Sequence, residues 1–144
     1  MLSTFLSLHV YTYCITKTLI LYRQVGDEGA KMLAQIFAQN NAAKIPLETL
    51  GLGVNAIGTS GAAALAHALE DCSECALKTL GLYRNSVSDD GAVALAKMVT
   101  NNQIALSHLF LGGNGIGNSG AMALADSLKQ NNKLKVCSSL LSNS

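Results

Sequence analysis

Three stretches of this sequence can be written beneath one another without a gap. LETLGLGVNAIGTSGAAALAHAL runs from Leu47 to Leu69, LKTLGLYRNSVSDDGAVALAKMV from Leu77 to Val99, and LSHLFLGGNGIGNSGAMALADSL from Leu106 to Leu128. A period of about 30 residues marks a stacked array, because one such unit cannot bury its own apolar face and needs neighbours on both sides. The shared pattern is L-x-x-L-x-L-x-x-N-x-[IV]-x-x-[SD]-G-A-x-x-L-A-x-x-[LV].

Each column has a physical role. Leu50 and Leu52, Leu80 and Leu82, and Leu109 and Leu111 alternate at period two, which predicts a short half-buried strand. Asn55, Asn85 and Asn114 follow where the strand ends, and their amides can bond backbone groups that no sheet partner satisfies. Ile57, Val87 and Ile116 point back inward. Ser60, Asp90 and Ser119 then read as helix N-caps. Gly61, Gly91 and Gly120 remove bulk where adjacent repeats press together. Behind them, Ala62, Leu65, Ala66 and Leu69 and their counterparts recur at i, i+3, i+4 and i+7, one stripe of a helix. Strand alternating with helix in every unit predicts an α/β solenoid with a parallel sheet.

The ends are less regular. A fourth copy precedes the three, with a clear helix half in Gly29, Ala30, Leu33, Ala34 and Phe37. Counting back from it puts Ile15, Thr18 and Ile20 in the leucine columns and Arg23 in the asparagine column. A slipped register uses Leu19 and Leu21 instead. At the far end Leu134 and Val136 begin a further repeat, with Cys137 in the second leucine column and Ser139 breaking the next. Residues 1–24 therefore read as an atypical N-terminal segment or degraded cap, and 25–136 as the repeat domain, with repeats near 15–46, 47–76, 77–105 and 106–133. Residues 137–144 read as a C-terminal tail.

From Val25 to Val136 these residues resemble the ribonuclease-inhibitor-like class of leucine-rich repeats, which includes the arrays of NOD-like receptors and of Ran GTPase-activating proteins. The resemblance implies a horseshoe segment with parallel strands on the concave face and helices on the convex face. It also implies a module that holds a protein partner on that concave face. The alternatives it raises are a regulator of a small GTPase, for which no residue here is assigned a role, and a detached sensor segment of a NOD-like receptor.

If the leucines face the core, the residues between them face the concave side. Most are small, such as Thr49, Gly51, Gly53, Val54, Thr79, Gly81, Gly112 and Gly113. The exceptions are Tyr83, Arg84, His108 and Phe110, which form the candidate partner-binding set, since aromatic and arginine side chains anchor interfaces. Four strands give a plan area of roughly 300 Å², against about 800 Å² per partner in a standard interface. This segment alone is therefore expected to bind weakly or to be part of a longer array.

Composition excludes several classes. Hydrophobic residues make up 49% and charged residues 13%, which rules out a disordered polyelectrolyte. The net charge of +1 gives no overall field for nucleic acid or an anionic membrane, and neither is an expected partner. The apolar stretch Met1 to Thr16 is interrupted by Lys17 before spanning length, so membrane insertion is not expected either. No catalytic constellation, metal site or cofactor is expected. Gly112-Gly113-Asn114-Gly115-Ile116-Gly117 is glycine-rich, but it aligns with Gly53 to Gly58 and is the repeat's own turn. Cys72-Ser73-Glu74-Cys75 is a lone CxxC lacking the further ligands zinc requires, and it reads as two thiols in a helix-to-strand loop. Cys14 and Cys137 read as small hydrophobes. No asparagine lies in a glycosylation sequon, and a cytoplasmic location is expected. The apolar amino end and the abrupt carboxyl end also predict self-association through uncapped ends.

Overall fold

The computed structural model describes residues 11–15, 17–39, 47–72, 75–101 and 104–137. Expectations placed on residues 1–10 and 138–144, and on the side chains of Cys14 and Cys137, lie outside the described residues. Six strands form one sheet in chain order: β1 (Tyr11–Ile15), β2 (Thr18–Tyr22), β3 (Thr49–Gly51), β4 (Thr79–Gly81), β5 (His108–Phe110) and β6 (Lys135–Cys137). From β2 onward each strand is parallel to the next, and the crossovers carry α1 (Gly26–Ala38), α2 (Thr59–Glu70), α3 (Ser88–Asn101) and α4 (Asn118–Gln130). Each helix packs on the next, so the chain is a two-layer α/β solenoid with strands on the concave face and helices on the convex one.

Between the layers lies one continuous core. Leu50, Leu52, Leu80, Leu82 and Leu109 are fully buried, as are Ile57 and Val87. From the helices Ala62, Leu65, Leu69, Ala92 and Leu95 meet them. Gly61 and Gly120 fit their assigned role, whereas Gly91 clears room for Val87 of its own repeat and stands at ordinary contact distance from Ala62. A Cβ on Gly61 would stand 3.0 Å from that of Ala30, and one on Gly120 would stand 3.0 Å from that of Ala92. The preceding helix leaves no room for a side chain.

The asparagines form the expected ladder. Asn85 Nδ2 donates to the carbonyls of Leu52 and Leu82, both at 2.9 Å, while its Oδ1 accepts from Asn55 N and Ile57 N, both at 3.0 Å. Asn55 reaches Leu21 O in the repeat before it, and Asn114 reaches Leu82 O. One buried amide thus ties each strand end to the previous repeat.

Four expectations are corrected. Strand β2 adopts the slipped register, with Leu19 opposite Leu50 and Ile20 opposite Gly51. The connection from Leu21 to Val25 is one residue shorter than that from Leu52 to Ile57, so counting back from the helix misplaces the strand by one and exchanges its faces. At the other end Val136, not Cys137, stands opposite Leu109, again because one residue is missing before the strand. The helix caps also differ: Ser60, Asp90 and Ser119 are not N-caps. α2 and α4 start after Gly58 and Gly117, which have no side chain to offer. Their free amides are met instead from the preceding helix, by Asp27 for Gly58 and Gly61 and by Asp89 for Gly117 and Gly120. Finally, Cys72 and Cys75 are joined in a disulfide. Beyond α2, Cys75 N donates to Cys72 O and the two Cα atoms stand 5.5 Å apart, within bridging distance.

Beside β2 the sheet continues into β1, which pairs antiparallel with it from Tyr11↔Tyr22 to Ile15↔Thr18. On the other side, α4 has no neighbour among the described residues. Ala121 and Ala125 are exposed, whereas Ala62, Ala92, Ala66 and Ala96 in the same columns are buried.

Candidate functional site

The sheet register sorts the concave side chains into rows. One row holds Thr18, Thr49, Thr79 and His108, and the next holds Ile20, Gly51, Gly81 and Phe110. Two residues further along each chain come Tyr22, Gly53, Tyr83 and Gly112. Large residues stand among small ones, and two of the small ones, Gly51 and Gly53, are seats for large neighbours. The Tyr83 ring lies across Gly53, where a Cβ would collide with it. Ile20 leans over Gly51, so that a Cβ there would stand 3.2 Å from its Cγ1.

The result is a hollow of about 250 Å³, floored by Gly51, Gly53 and Gly81 and walled by Ile20, Tyr22, Tyr83 and Phe110. Of the four candidate residues, Tyr83 and Phe110 line this hollow together. His108 stacks on Phe110 with ring centroids 6.4 Å apart, and its Nδ1 stands 3.0 Å from Ser107 Oγ. Arg84 lies outside the hollow, exposed on the loop after β4, with its Cγ beside Gly113. Ile20 and Tyr22 are absent from the candidate set because they reach this face only in the slipped register of β2. The alternating Leu19 and Leu21 were the signal that could have found them.

Where the strands leave the sheet, the backbone is unusual. Arg23, Val54, Arg84 and Gly113 occupy one column, each two residues beyond a core leucine, with φ of 67°, 60°, 51° and 70°. All four are exposed. Glycine is at ease in this left-handed region. A β-branched valine or an arginine is not, at a cost on the order of 1 kcal/mol or more each.

At the opposite edge, where strands begin, Glu48 sits between Lys17 at 2.7 Å and Lys78 at 2.8 Å. Hydrogen bonds from Lys17 and then Lys78 lower its carboxyl from 4.5 to about 2. The two capping carboxyls are also lowered. For Asp27, burial pushes the value up, but the Ser60 hydroxyl and the Gly58 and Gly61 amides together outweigh it. For Asp89 the Ser119 hydroxyl leads, followed by the Gly117 amide. Among the described residues no group of three or more His, Cys, Asp or Glu side chains is placed to hold a metal ion. No helix among them is long and apolar enough to cross a membrane.

Strand, asparagine turn and helix, repeated with this register, define a leucine-rich-repeat solenoid. A family model described as Leucine Rich repeat matches residues 106–125, the third regular copy. Forty-two solved chains match the structure. One of them, titled leiomodin-1 actin-binding site 2 (ABS2), is 20% identical with a TM-score of 0.66, over 80% of this chain and 67% of that chain. At that identity the likeness shows the fold. No curated protein matches the sequence.

Proposed function

We propose that this chain is a protein-interaction module of the ribonuclease-inhibitor-like repeat class, acting in the cytoplasm. It holds a protein partner on its concave face through Tyr83 and Phe110, with Arg84 and His108 at their sides. The observation that carries this reading is the hollow of about 250 Å³, a volume that accommodates one or two apolar side chains, walled by aromatic rings over a glycine floor. Buried aromatic anchors in such seats carry most of the energy in protein interfaces. The fold likeness to a protein titled for actin binding supports a binding role and makes actin one protein to include in the test.

The test compares two folded double variants in affinity capture followed by mass spectrometry. Tyr83→Ala with Phe110→Ala removes two walls of the hollow. Lys97→Ala with Lys129→Ala changes two exposed helix positions on the convex side. The first is expected to lose partners that the second keeps. Equal retention by both, with melting curves unchanged, would refute the concave assignment.

A further inference from the structure

Charge on this molecule is segregated although its total is only +1. None of the six strands contains an acidic residue. Glu48, at the foot of β3, is held between Lys17 and Lys78. The remaining described carboxylates lie on the four helices or, as Asp71, at a helix end. Arg23 and Arg84 are exposed on the loops that leave β2 and β4, and neither enters an ion pair among the described residues. Both occupy the left-handed column that Val54 and Gly113 share in the other repeats, and of the four only Gly113 fills it without strain. Two exposed arginines are therefore held at a conformational cost beside an apolar hollow, with no acid among the described residues paired to them.

We infer that the hollow and its arginine rim receive an acidic polypeptide segment, with an apolar side chain seated over Gly81 beside Tyr83 and Phe110 and carboxylates on Arg23 and Arg84. This rests on the concave-face reading above and adds the chemistry of the partner. The spacing follows from the sheet. Strands β2 and β4 are two places apart, which is about 10 Å. In an extended chain alternate side chains share a face, so the fitting segment carries acids at positions i and i+4, about 13 Å apart, with the apolar residue at i+2, and the long arginine side chains take up the difference.

The probe is a fluorescein-labelled peptide with Glu-Ser-Leu-Ser-Glu at its centre, titrated into the full chain by anisotropy. A Gln-Ser-Leu-Ser-Gln peptide and a single-stranded oligothymidylate serve as controls. The acidic peptide is expected to bind about tenfold more tightly than the glutamine peptide at low salt, the yield of two partly exposed ion pairs, and to lose that advantage at high salt. Arg23→Gly with Arg84→Gly removes the cations and relieves the backbone, so it is expected to abolish the advantage without lowering the melting temperature. Arg23→Gln with Arg84→Gln repeats the test with side-chain length retained. Equal affinity for the two peptides, an advantage that survives both arginine variants, or preferential binding of the oligonucleotide would each overturn the inference. Failure of the concave reading looks different: the natural partner would then survive Tyr83→Ala with Phe110→Ala. If that partner is lost on removal of the aromatics but kept by the arginine variants, the seat stands and the acidic partner is wrong.

Discussion

Replacing Asn85 with alanine tests how this solenoid is held together. Asn85 is buried, and its amide makes four hydrogen bonds of 2.9–3.0 Å to backbone groups of its own repeat and the one before. Alanine leaves the N–H groups of Asn55 and Ile57 without their acceptor. An unsatisfied buried donor costs about 1–3 kcal/mol, so the two together cost about 4 kcal/mol. The carbonyls of Leu52 and Leu82 lose a donor but keep a second lone pair, and they add less. Asn114 provides an internal scale. Among the described residues its Oδ1 accepts only from Val87 N, at 3.3 Å, so Asn114→Ala orphans one amide and should cost about half as much. Reversible urea unfolding followed by far-ultraviolet circular dichroism is the assay. The expected result is a lower midpoint with an unchanged slope for both variants, and the larger shift for Asn85→Ala. A cost of less than about 1 kcal/mol for Asn85→Ala, or an equal cost for Asn114→Ala, would mean that water replaces the amide and that the ladder is not what joins the repeats.

Acid should loosen the array in a predictable direction. Asp27, Asp89 and Glu48 all have lowered carboxyl values in the folded chain, so their stabilisation is complete above their ordinary values of 3.8–4.5 and is lost as pH falls through the folded ones, for Glu48 down to about 2. Thermal melts across the acid range should show this loss, and Asp27→Asn with Asp89→Asn should flatten it; an unaltered profile would remove the inter-repeat caps from the account. Val54→Gly should raise stability by about 1 kcal/mol, because the valine is exposed and its φ of 60° suits glycine. A lower melting temperature for that variant would show that Val54 is not strained. Met122, 67% exposed on the uncovered side of α4, should promote self-association, and light scattering should find Met122→Lys less associated than the parent at equal concentration. Identical scattering would exclude that face as the contact.

The repeat interior was legible because every column occurs three times and each occurrence meets the same surroundings. Leu80 and Leu82 alternate, Asn85 ends the strand and Gly91 clears the helix. The structure uses the leucines and the asparagine as their spacing implied, while Gly91 makes room for Val87 of its own repeat. The ends were harder for the same reason. A column needs a constant loop, and one missing residue between Leu21 and Val25, or ahead of Val136, shifts the strand without altering any residue type. The caps failed differently. Ser60 and Ser119 stand where a local rule expects an N-cap, yet both give their hydroxyls to Asp27 and Asp89 of the preceding helix. Only alternate helices carry that aspartate. In α2 the equivalent residue is Thr59, which bonds Val87 O instead, so a cap rule confined to one helix cannot see the pairing.

The concave face shows most clearly what a one-dimensional reading loses. Read along a single repeat, Gly51 and Gly53 look like an absence of contact residues. Read across repeats, Gly51 lies under Ile20 and Gly53 under Tyr83, each about one period away in the chain. Their lack of a Cβ is what lets the larger side chains lie down and leaves the hollow between them. In a solenoid the neighbour that gives a residue its meaning is displaced by one repeat. A small residue on the binding face should therefore be judged by the residue in its own row on the adjacent strand before it is counted as empty surface.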